Sequence, residues 1–341
     1  MRAAVAYKPF DLVVRDDVEI PKPAPHEILV RVRSVGVCPN DVRFYTGESL
    51  HKQIPYGENS YGLPGHEWAG EVVEVGSKVD GLQVGDYVAP DHLIPCNNCR
   101  YCRLGFTNIC VNKSHYLRAY AEYATAHGSY SYKFPKNIKF DEACLAEPLS
   151  TVINASRIAD IRAGDIVLVV GAGPMGLLHT MLAKQSGATV IVSEVIKERV
   201  EAAKKFGAEV AADPSSDDLA KSIKEMTDGV GVDKIIVSIG NPVAIEQHMK
   251  YVRKRGVVVI FGGVVPPRNI SVDPNQLHYH EVFLTGSFDH TGEDFRKAVK
   301  LISQRKLALD NLISHRFPLN EIVQAFETSK SKSGLKVVVN I

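Results

Sequence analysis

At 341 residues the chain is longer than one hydrophobic core usually serves, so its length predicts two domains. Hydrophobic residues make up 45% of it and charged residues 23%, which is typical of a globular protein and excludes long disorder. Lys and Arg number 40 against 39 Asp and Glu, and the resulting net charge of +1 gives no field that favours nucleic acid, a membrane surface or any strongly charged partner.

The first part of the chain, to about residue 150, alternates short β-rich runs with Gly and Pro turns. The runs are EILVRVRSVGV (27–37), GEVVEVGSKV (70–79) and GDYVAP (85–90). This rhythm predicts an irregular, mostly antiparallel β-barrel. Charges interrupt residues 1–21 too often for the apolar centre of a secretory signal, so we expect a cytoplasmic protein.

Four of the six cysteines follow within one short loop, spaced C-x2-C-x2-C-x7-C: Cys96, Cys99, Cys102 and Cys110. Cysteines this close rarely form disulfides with one another without strain, and a reducing cytoplasm disfavours disulfides further. Four thiolates satisfy a tetrahedral Zn²⁺ and leave no position for substrate, so the loop predicts a structural zinc. An iron–sulfur cluster is the alternative, whereas the neutral charge argues against a zinc-ribbon nucleic-acid module. Cys144 has no metal partner by spacing and is expected to be a buried thiol.

After residue 151 the rhythm changes to strand, helix, strand. Continuous apolar runs, typical of parallel strands covered on both faces, occupy 166–171, 189–194, 234–240, 257–263 and 282–288. Helical patterns such as KERVEAAKKFGA (197–208) separate them, which predicts a doubly wound α/β sheet. The apolar stretch 166–183 approaches the length of a membrane helix, but its glycines, proline and histidine indicate a strand, a turn and a helix instead. The chain finishes with a helical pattern from residue 293 and a strand-like LKVVVNI (335–341).

The first of these strands runs into a glycine-rich turn, Gly171-Ala-Gly173-Pro174-Met175-Gly176, and then into a helix. Gly171 permits a tight turn, Gly173 lets the backbone approach a pyrophosphate, and Gly176 allows close helix–strand packing. Because the helix N-terminus attracts phosphate, the turn, with Pro174 and Met175, predicts a Rossmann dinucleotide site. An unoccupied tight turn is the alternative.

An acidic residue follows at the expected separation. Glu194 ends the next strand, 18 residues after Gly176, where a carboxylate binds the ribose hydroxyls and repels a 2′-phosphate. NAD is therefore favoured over NADP. Arg199, a further candidate cofactor contact, and its neighbour Lys197 would favour NADP instead.

Three pieces remain: Cys38 in GVCPND, the pair His66 and Glu67 in GHE, and Glu147 in AEPLS. Taken singly, each is more often a packing or capping residue. Together with the cysteine loop and the glycine turn they resemble the zinc-dependent medium-chain alcohol dehydrogenase superfamily, in its polyol (sorbitol) and threonine dehydrogenase branch, over essentially the whole chain. The resemblance implies that Cys38, His66 and Glu147 hold a catalytic zinc, with Glu67 sharing or exchanging the carboxylate position.

The same resemblance implies further roles and boundaries. Asp41 would orient the zinc-binding histidine, and Lys336 would contact the cofactor pyrophosphate. The implied domains are a GroES-like catalytic β-barrel over 1–150, a Rossmann NAD-binding domain over 151–288, and a return to the catalytic domain over 289–341.

The chain departs from the family pattern beside Cys38. Pro39 and Asn40 stand where the family has Gly and a hydroxyl residue that relays the alcohol proton, and an amide does not titrate near neutral pH. Water or a carboxylate such as Glu147 would then carry the proton. Arg43 is either a surface residue or a partner for an anionic substrate group. The expected pocket lies near Arg43, Phe44, Tyr45, the tyrosine-rich segment 51–62, and residues 288–290.

Together with these motifs, the family resemblance implies an NAD-dependent enzyme with one catalytic and one structural zinc, which oxidises a secondary alcohol of a polyol, sugar or sugar-phosphate. A bound Zn²⁺ makes the alcohol oxygen more acidic, which hydride departure requires. The alternatives are oxidation of an amino-acid alcohol such as L-threonine, and a non-catalytic relative that only binds cofactor. The expected partner is a small-molecule alcohol, with no nucleic acid and no membrane, and family analogy implies a dimer or tetramer.

Overall fold

A computed structural model describes residues 1–49, 54–332 and 334–341, and the chain divides into two compact units. Unit 1 combines Met1–Ser150 with His290–Ile341, and unit 2 is Thr151–Asp289. The C-terminal segment therefore packs with the N-terminal part of the chain.

The strands and helices are as follows. The strands are β1 Ala3–Lys8, β2 Asp11–Arg15, β3 Glu27–Gly36, β4 Glu67–Val75, β5 Tyr87–Pro90, β6 Leu93–Ile94, β7 Ser114–His115, β8 Tyr123–His127, β9 Ser131–Lys133, β10 Ile166–Val170, β11 Thr189–Ser193, β12 Val210–Ala212, β13 Val232–Val237, β14 Val252–Ile260, β15 Phe283–Gly286, β16 Ile313–Pro318 and β17 Lys336–Asn340. The α-helices are α1 Pro39–Thr46, α2 Arg100–Arg103, α3 Phe140–Ala143, α4 Ala146–Ala159, α5 Pro174–Gln185, α6 Lys197–Lys205, α7 Asp217–Met226, α8 Pro242–Met249, α9 Pro274–His280, α10 Gly292–Ser303 and α11 Ile322–Lys330.

Unit 1 is built on a seven-stranded sheet in the order β16-β17-β3-β4-β5-β9, with β8 also paired to β3. All its pairs are antiparallel except β16 with β17. The prediction of an irregular, mostly antiparallel barrel is confirmed. The last strand, β17, lies beside β3, so the chain's end completes the sheet that carries the N-terminal motifs.

The core of unit 1 follows from alternation along these strands. In the middle of β3, buried Val30 and Val32 alternate with the less buried Arg31 and Arg33, whereas both ends of the strand are buried on both faces. Trp68 of β4 and Phe326 of α11 join the same core cluster. The sheet and α11 therefore form a rigid support for the loops that enter and leave β3 and β4.

Unit 2 is a parallel sheet in the order β12-β11-β10-β13-β14-β15 with helices between successive strands. The central strand β10 is almost entirely buried, as its continuous IVLVV sequence predicts. The doubly wound sheet is thus confirmed, and the apolar stretch 166–183 is indeed β10, a turn and most of α5. Within the described residues, no helix is both long enough and apolar enough to traverse a bilayer.

Candidate active site

The first group of functional side chains lies at the start of α1 in unit 1. Cys38 is the N-cap of α1, and Pro39, with its fixed φ, occupies the first helical turn. The carboxylate of Asp41 turns back and accepts a hydrogen bond from the Cys38 backbone N–H at 3.0 Å. Cys38 and Asp41 are therefore held by the geometry of one helix end.

His66 reaches the same place from the loop before β4. Its Nδ1 lies 2.8 Å from the Pro64 carbonyl oxygen and 3.4 Å from Asp41 Oδ1. Because both oxygens face Nδ1 as hydrogen-bond acceptors, Nδ1 carries the ring proton and Nε2 remains the nitrogen available to a metal. The structure thus places Asp41 where the sequence predicts it, beside the histidine ring.

The ligand atoms of Cys38, His66 and Glu67 all lie within 4.8 Å of one another. Sulfur, imidazole nitrogen and carboxylate oxygen together are a donor set that suits Zn²⁺, and three protein ligands leave a fourth position for a substrate oxygen. The residues present therefore fit a catalytic zinc.

The protonation states of these ligands depend on burial and on each other. Burial raises the pKa of the Cys38 thiol, and hydrogen bonding to His66 only partly offsets this. Burial lowers the pKa of His66, but the charge and hydrogen bond of Asp41 outweigh burial and leave that pKa well above its ordinary value. A metal ion binding here displaces protons, so its affinity rises with pH.

Glu67 is also paired with a buried cation. Its carboxylate, in a residue only 2% exposed, forms an ion pair with Lys336 of β17, whose Nζ also donates to the Val37 carbonyl oxygen at 3.0 Å. Burial lowers the pKa of Lys336, but the charges of Glu67 and Cys38 reverse this and raise it above the ordinary value. We expected Lys336 to contact the cofactor pyrophosphate. In the structure its ammonium instead bonds within unit 1 and is almost completely buried.

Glu147 has a different set of neighbours. Its Oε1 lies 3.9 Å from His92 Nδ1 and 4.0 Å from His290 Nδ1. The other ring nitrogen of His290, Nε2, is 2.9 Å from Asp91 Oδ1. The rings of His66 and His92 are 5.2 Å apart, so this cluster adjoins the Cys38 group. Asp91 and His92 are not predicted as site residues from the sequence, because an isolated histidine four residues before Cys96 does not match the spacing of a metal-binding motif.

The segment after Cys38 differs in part from what the sequence predicts. Asn40 is exposed, and its side-chain oxygen accepts from Arg43 Nη1 at 2.9 Å. Phe44 and Tyr45, which we expected to line a pocket, are 2% and 6% exposed and belong to the core. Tyr56 stacks on Phe44 at 4.9 Å. In the tyrosine-rich segment 51–62, residues 51–53 lie outside the described part of the chain.

The cysteine loop forms a second group of ligands. Sulfurs of Cys99 and Cys102 are 3.5 Å apart, and those of Cys99 and Cys110 are 3.9 Å apart. Around a tetrahedral Zn²⁺ with 2.3 Å bonds, sulfurs are separated by about 3.8 Å. All four ligand sulfurs lie within 4.8 Å of one another, and every cysteine of the chain is a free thiol. This spacing suits a single ion, since a cluster of several irons holds its ligands farther apart.

Backbone N–H groups also point at these sulfurs. The amide of Cys99 donates to Cys96 Sγ at 3.3 Å, and the amides of Cys96 and Asn112 donate to Cys110 Sγ at 3.3 and 3.4 Å. Hydrogen bonds from Cys102 and Val111 lower the pKa of Cys99 to about 6. Such donors favour the thiolate, which is the form that binds metal.

In unit 2 the glycine turn has the geometry that its sequence predicts. Gly171 has φ +96°, and a Cβ on Gly176 would stand 1.9 Å from the Gly171 carbonyl oxygen, so neither position accepts a side chain. Gly173 is the N-cap of α5, and Pro174 and Met175 form its first turn. A Cβ at Gly173 would meet only Arg199 Nη1, at 3.9 Å. The helix N-terminus therefore has open space and a guanidinium beside it, which fits a pyrophosphate.

Glu194 lies at the end of β11, beside this turn. Its Oε2 accepts from the Ala172 N–H at 2.7 Å, and Oε1 accepts from the N–H groups of Val195 and Ile196 at 2.8 and 2.9 Å. The carboxylate therefore ties the strand end to the glycine turn. Oε2, which accepts a single hydrogen bond, keeps a further lone pair for a ribose hydroxyl.

Comparison with known proteins gives matches over both parts of the chain. A family described as "Alcohol dehydrogenase GroES-like domain" matches residues 24–136, and one described as "Zinc-binding dehydrogenase" matches residues 174–304. L-threonine 3-dehydrogenase of Pyrococcus abyssi is 36% identical over 94% of this chain and 93% of its own length. Sorbitol dehydrogenase of Bombyx mori is 30% identical over 99% of this chain and 98% of its own.

Among solved structures, a zinc-binding dehydrogenase of Sinorhizobium meliloti bound to NADP superposes with a TM-score of 0.89. It is 26% identical, and the alignment covers 100% of each chain. The GroES-like and Rossmann folds that the sequence predicts are thereby confirmed.

Proposed function

Because this chain belongs to the zinc-binding dehydrogenases with an alcohol dehydrogenase GroES-like domain, we propose that it oxidises a secondary alcohol of a polyol or sugar with NAD as hydride acceptor. The observation that carries the proposal is the convergence of Cys38, His66 and Glu67 within 4.8 Å. Three ligands of this kind form an open zinc site rather than a closed one.

Each residue of the group has a separate task. Cys38, His66 and Glu67 would hold the zinc, which supplies Lewis acidity to the alcohol oxygen. Asp41 holds the His66 ring by its Nδ1, and Lys336 fixes the carboxylate of Glu67. Glu147 remains the second candidate for the third ligand that the family resemblance implies.

The proton of the alcohol needs a route that avoids Asn40. An amide does not titrate near neutral pH, and Asn40 oxygen is already bonded to Arg43. Glu147 lies within 4.0 Å of two imidazoles, those of His92 and His290, in the cluster that adjoins His66. We assign Glu147 as the group that accepts the alcohol proton, directly or through one water molecule.

The same cluster favours a substrate with several hydroxyl groups. His92, His290 and Glu147 present both donors and acceptors next to the metal ligands, which suits the neighbouring hydroxyls of a polyol. L-threonine is the second candidate, because the 36% identical relative of Pyrococcus abyssi is named for it. Threonine brings a carboxylate, for which Arg43 of α1 is a candidate partner if its guanidinium releases Asn40.

The preference for NAD rests on Glu194. Its carboxylate beside the glycine turn accepts ribose hydroxyls and repels a 2′-phosphate. Arg199 at the same turn would contact the pyrophosphate. Lys336, in contrast, would reach the pyrophosphate only by releasing Glu67 or Val37.

A substrate panel tests the proposal. Sorbitol, other polyols, sugars, their phosphates and L-threonine are each offered with NAD and with NADP, and reduced cofactor is followed by absorbance. The expected result is the highest kcat/KM for a polyol or sugar with NAD. Highest activity on L-threonine would support the second candidate instead. Cys38→Ser should abolish turnover and leave NAD affinity unchanged, and an active Cys38→Ser protein would reject the zinc site.

Two further expectations accompany this function. The free thiols of the cysteine loop suit a reducing compartment such as the cytoplasm. The edge strand β15 exposes Phe283, and α9 exposes Tyr279, which favours a homo-oligomer, dimeric or tetrameric. Light scattering coupled to gel filtration measures the mass, and a monomer of 37.4 kDa would exclude the oligomer.

A further inference from the structure

Tyr120 is a fully buried tyrosine whose hydroxyl points at the metal-ligand group. The residue is 0% exposed, and its phenol oxygen lies 2.6 Å from Asp41 Oδ2 and 3.3 Å from the Gly36 carbonyl oxygen. A phenol has one proton, so the shorter contact, to the carboxylate, is the hydrogen bond. Burial, followed by the charge of Asp41, raises the pKa of Tyr120 well above its ordinary value, and the hydroxyl stays a donor.

The backbone around Tyr120 holds the second ligand-bearing segment. The Tyr120 N–H donates to the Gly62 carbonyl at 3.0 Å, and the Ala119 N–H donates to the Gly65 carbonyl at 3.2 Å. A Cβ on Gly65 would come within 2.9 Å of the Tyr120 ring, so loop and ring are in close contact. His66 directly follows Gly65 in this loop. Tyr120 therefore touches both segments that supply the catalytic ligands.

The hydroxyl has a role that ring packing does not explain. The Tyr120 ring packs edge-on against Phe326 with centroids 5.3 Å apart, and a phenylalanine would make the same contact. What the hydroxyl adds is a second bond to Asp41 Oδ2, which already accepts from the Cys38 N–H. Because a carboxylate is planar, fixing Oδ2 also fixes Oδ1, the oxygen that faces His66 Nδ1.

We infer that Tyr120 is a positioning residue for the catalytic metal: its hydroxyl fixes the Asp41 carboxylate, which in turn orients both Cys38 and His66. The inference rests on the proposed zinc site and adds to it the residue that presets the ligand geometry before metal arrives. Partners of metal-bound histidines typically contribute 10- to 100-fold to metal affinity. Loss of the hydroxyl is therefore expected to weaken the catalytic site about tenfold.

The test is Tyr120→Phe, with Tyr116→Phe as the matched control. Tyr116 also donates its hydroxyl to a carboxylate, Glu27 Oε1 at 2.7 Å, but neither residue belongs to the metal-ligand group. Zinc per chain is measured by elemental analysis after equilibration with a chelator at a series of free-zinc concentrations. Tyr120→Phe should raise the dissociation constant of the weaker zinc about tenfold, while Tyr116→Phe should match the wild type. The closed four-cysteine site should keep its zinc in all three proteins.

A double variant decides whether the effect passes through Asp41. In an Asp41→Ala background, which offers the Tyr120 hydroxyl no side-chain acceptor at this position, adding Tyr120→Phe should change zinc affinity no further. A second tenfold loss there would overturn the inference, and so would wild-type affinity in the single Tyr120→Phe variant. If that single variant fails to fold, the comparison of Asp41→Ala with the double variant still tests the inference, because a further tenfold loss of zinc affinity in the double variant would overturn it.

Failure of the proposed function gives a different result. If the wild-type protein binds only one zinc per chain, the proposed catalytic zinc site is wrong. Wild-type protein with two zincs and an unaffected Tyr120→Phe variant would overturn only the role of Tyr120.

Discussion

The ion pair between Lys336 and Glu67 allows a stability prediction that can be worked from its burial. We predict that Lys336→Met lowers the free energy of unfolding of unit 1 by about 3–5 kcal/mol, the range measured when one partner of a buried pair is removed. The prediction is for zinc-free protein: Lys336 is 4% exposed and Glu67 2%, so the carboxylate would be left in the core without a cation. Methionine refills the volume of the lysine stem, which makes the lost charge the main effect.

The loss should depend on pH in a defined direction. The folded-state pKa of Lys336 is raised above its ordinary value of 10.5. A group with a raised pKa contributes stability that is fully present below its unfolded-state pKa and disappears as pH rises through the folded-state pKa. The difference between wild type and variant should therefore stay constant from neutral pH to about pH 10. It should shrink at more alkaline pH.

The assay uses a natural probe inside unit 1. Trp68 is the single tryptophan of the chain, follows Glu67 directly and is 2% exposed, so its fluorescence reports urea unfolding of this unit. Lys330→Met is the control within the same unit, since Lys330 pairs with Glu327 at 2.9 Å on the surface and should contribute at most about 1 kcal/mol. A loss below about 1 kcal/mol for Lys336→Met as well would refute the buried pair.

Three further predictions address the other sites. Cys102→Ser should remove one zinc per chain and lower the thermal midpoint by several degrees, since metal binding at a closed site is folding energy; retention of two zincs by elemental analysis would contradict this. Glu194→Ala should reduce the ratio of kcat/KM with NAD to that with NADP about tenfold, and an unchanged ratio would exclude Glu194 from the ribose. Burial lowers the pKa of His179 from 6.5 to about 3. Below pH 6.5 the unfolded chain therefore binds a proton at this residue while the folded protein does not, and the free energy of unfolding should fall as pH decreases from 6.5. His179→Leu should remove that part of the pH dependence in urea unfolding, and an unchanged profile would show that His179 does not cause it.

Much of the fold follows from local pattern. The run IVLVV of β10, the glycine turn after it and the amphipathic α6 each carry a signal within about a dozen residues, so strand, turn and helix can be read in order. The cysteine loop is similar, because its spacing of C-x2-C-x2-C-x7-C places the four ligands close together whatever the rest of the chain does.

The grouping of Cys38, His66 and Glu67 could not be predicted from the spacing of these residues in the sequence. Cys38, His66 and Glu67 come from a helix end and a loop 28 residues farther along the chain, and each alone looks like a packing residue. Family resemblance brought them together, but it did not indicate that Glu67 is paired with Lys336. Nor did it indicate the contacts of Tyr120 with Asp41, or of His290 with Asp91, 199 residues away in sequence.

The sequence by itself determined the two architectures, the closed zinc site and the dinucleotide turn, because hydrophobic period, glycine positions and cysteine spacing act over short stretches of chain. Only the tertiary structure decided which carboxylate approaches Cys38 and His66, which lysine neutralises it, and which buried hydroxyl and imidazoles surround the group. Those contacts join β17, β4, α1 and the segment before β8 that carries Tyr120, and they depend on how the chain folds around the sheet of unit 1. A buried polar group bonds to whichever partner the folded chain brings within hydrogen-bond distance, and no local sequence pattern records that distance.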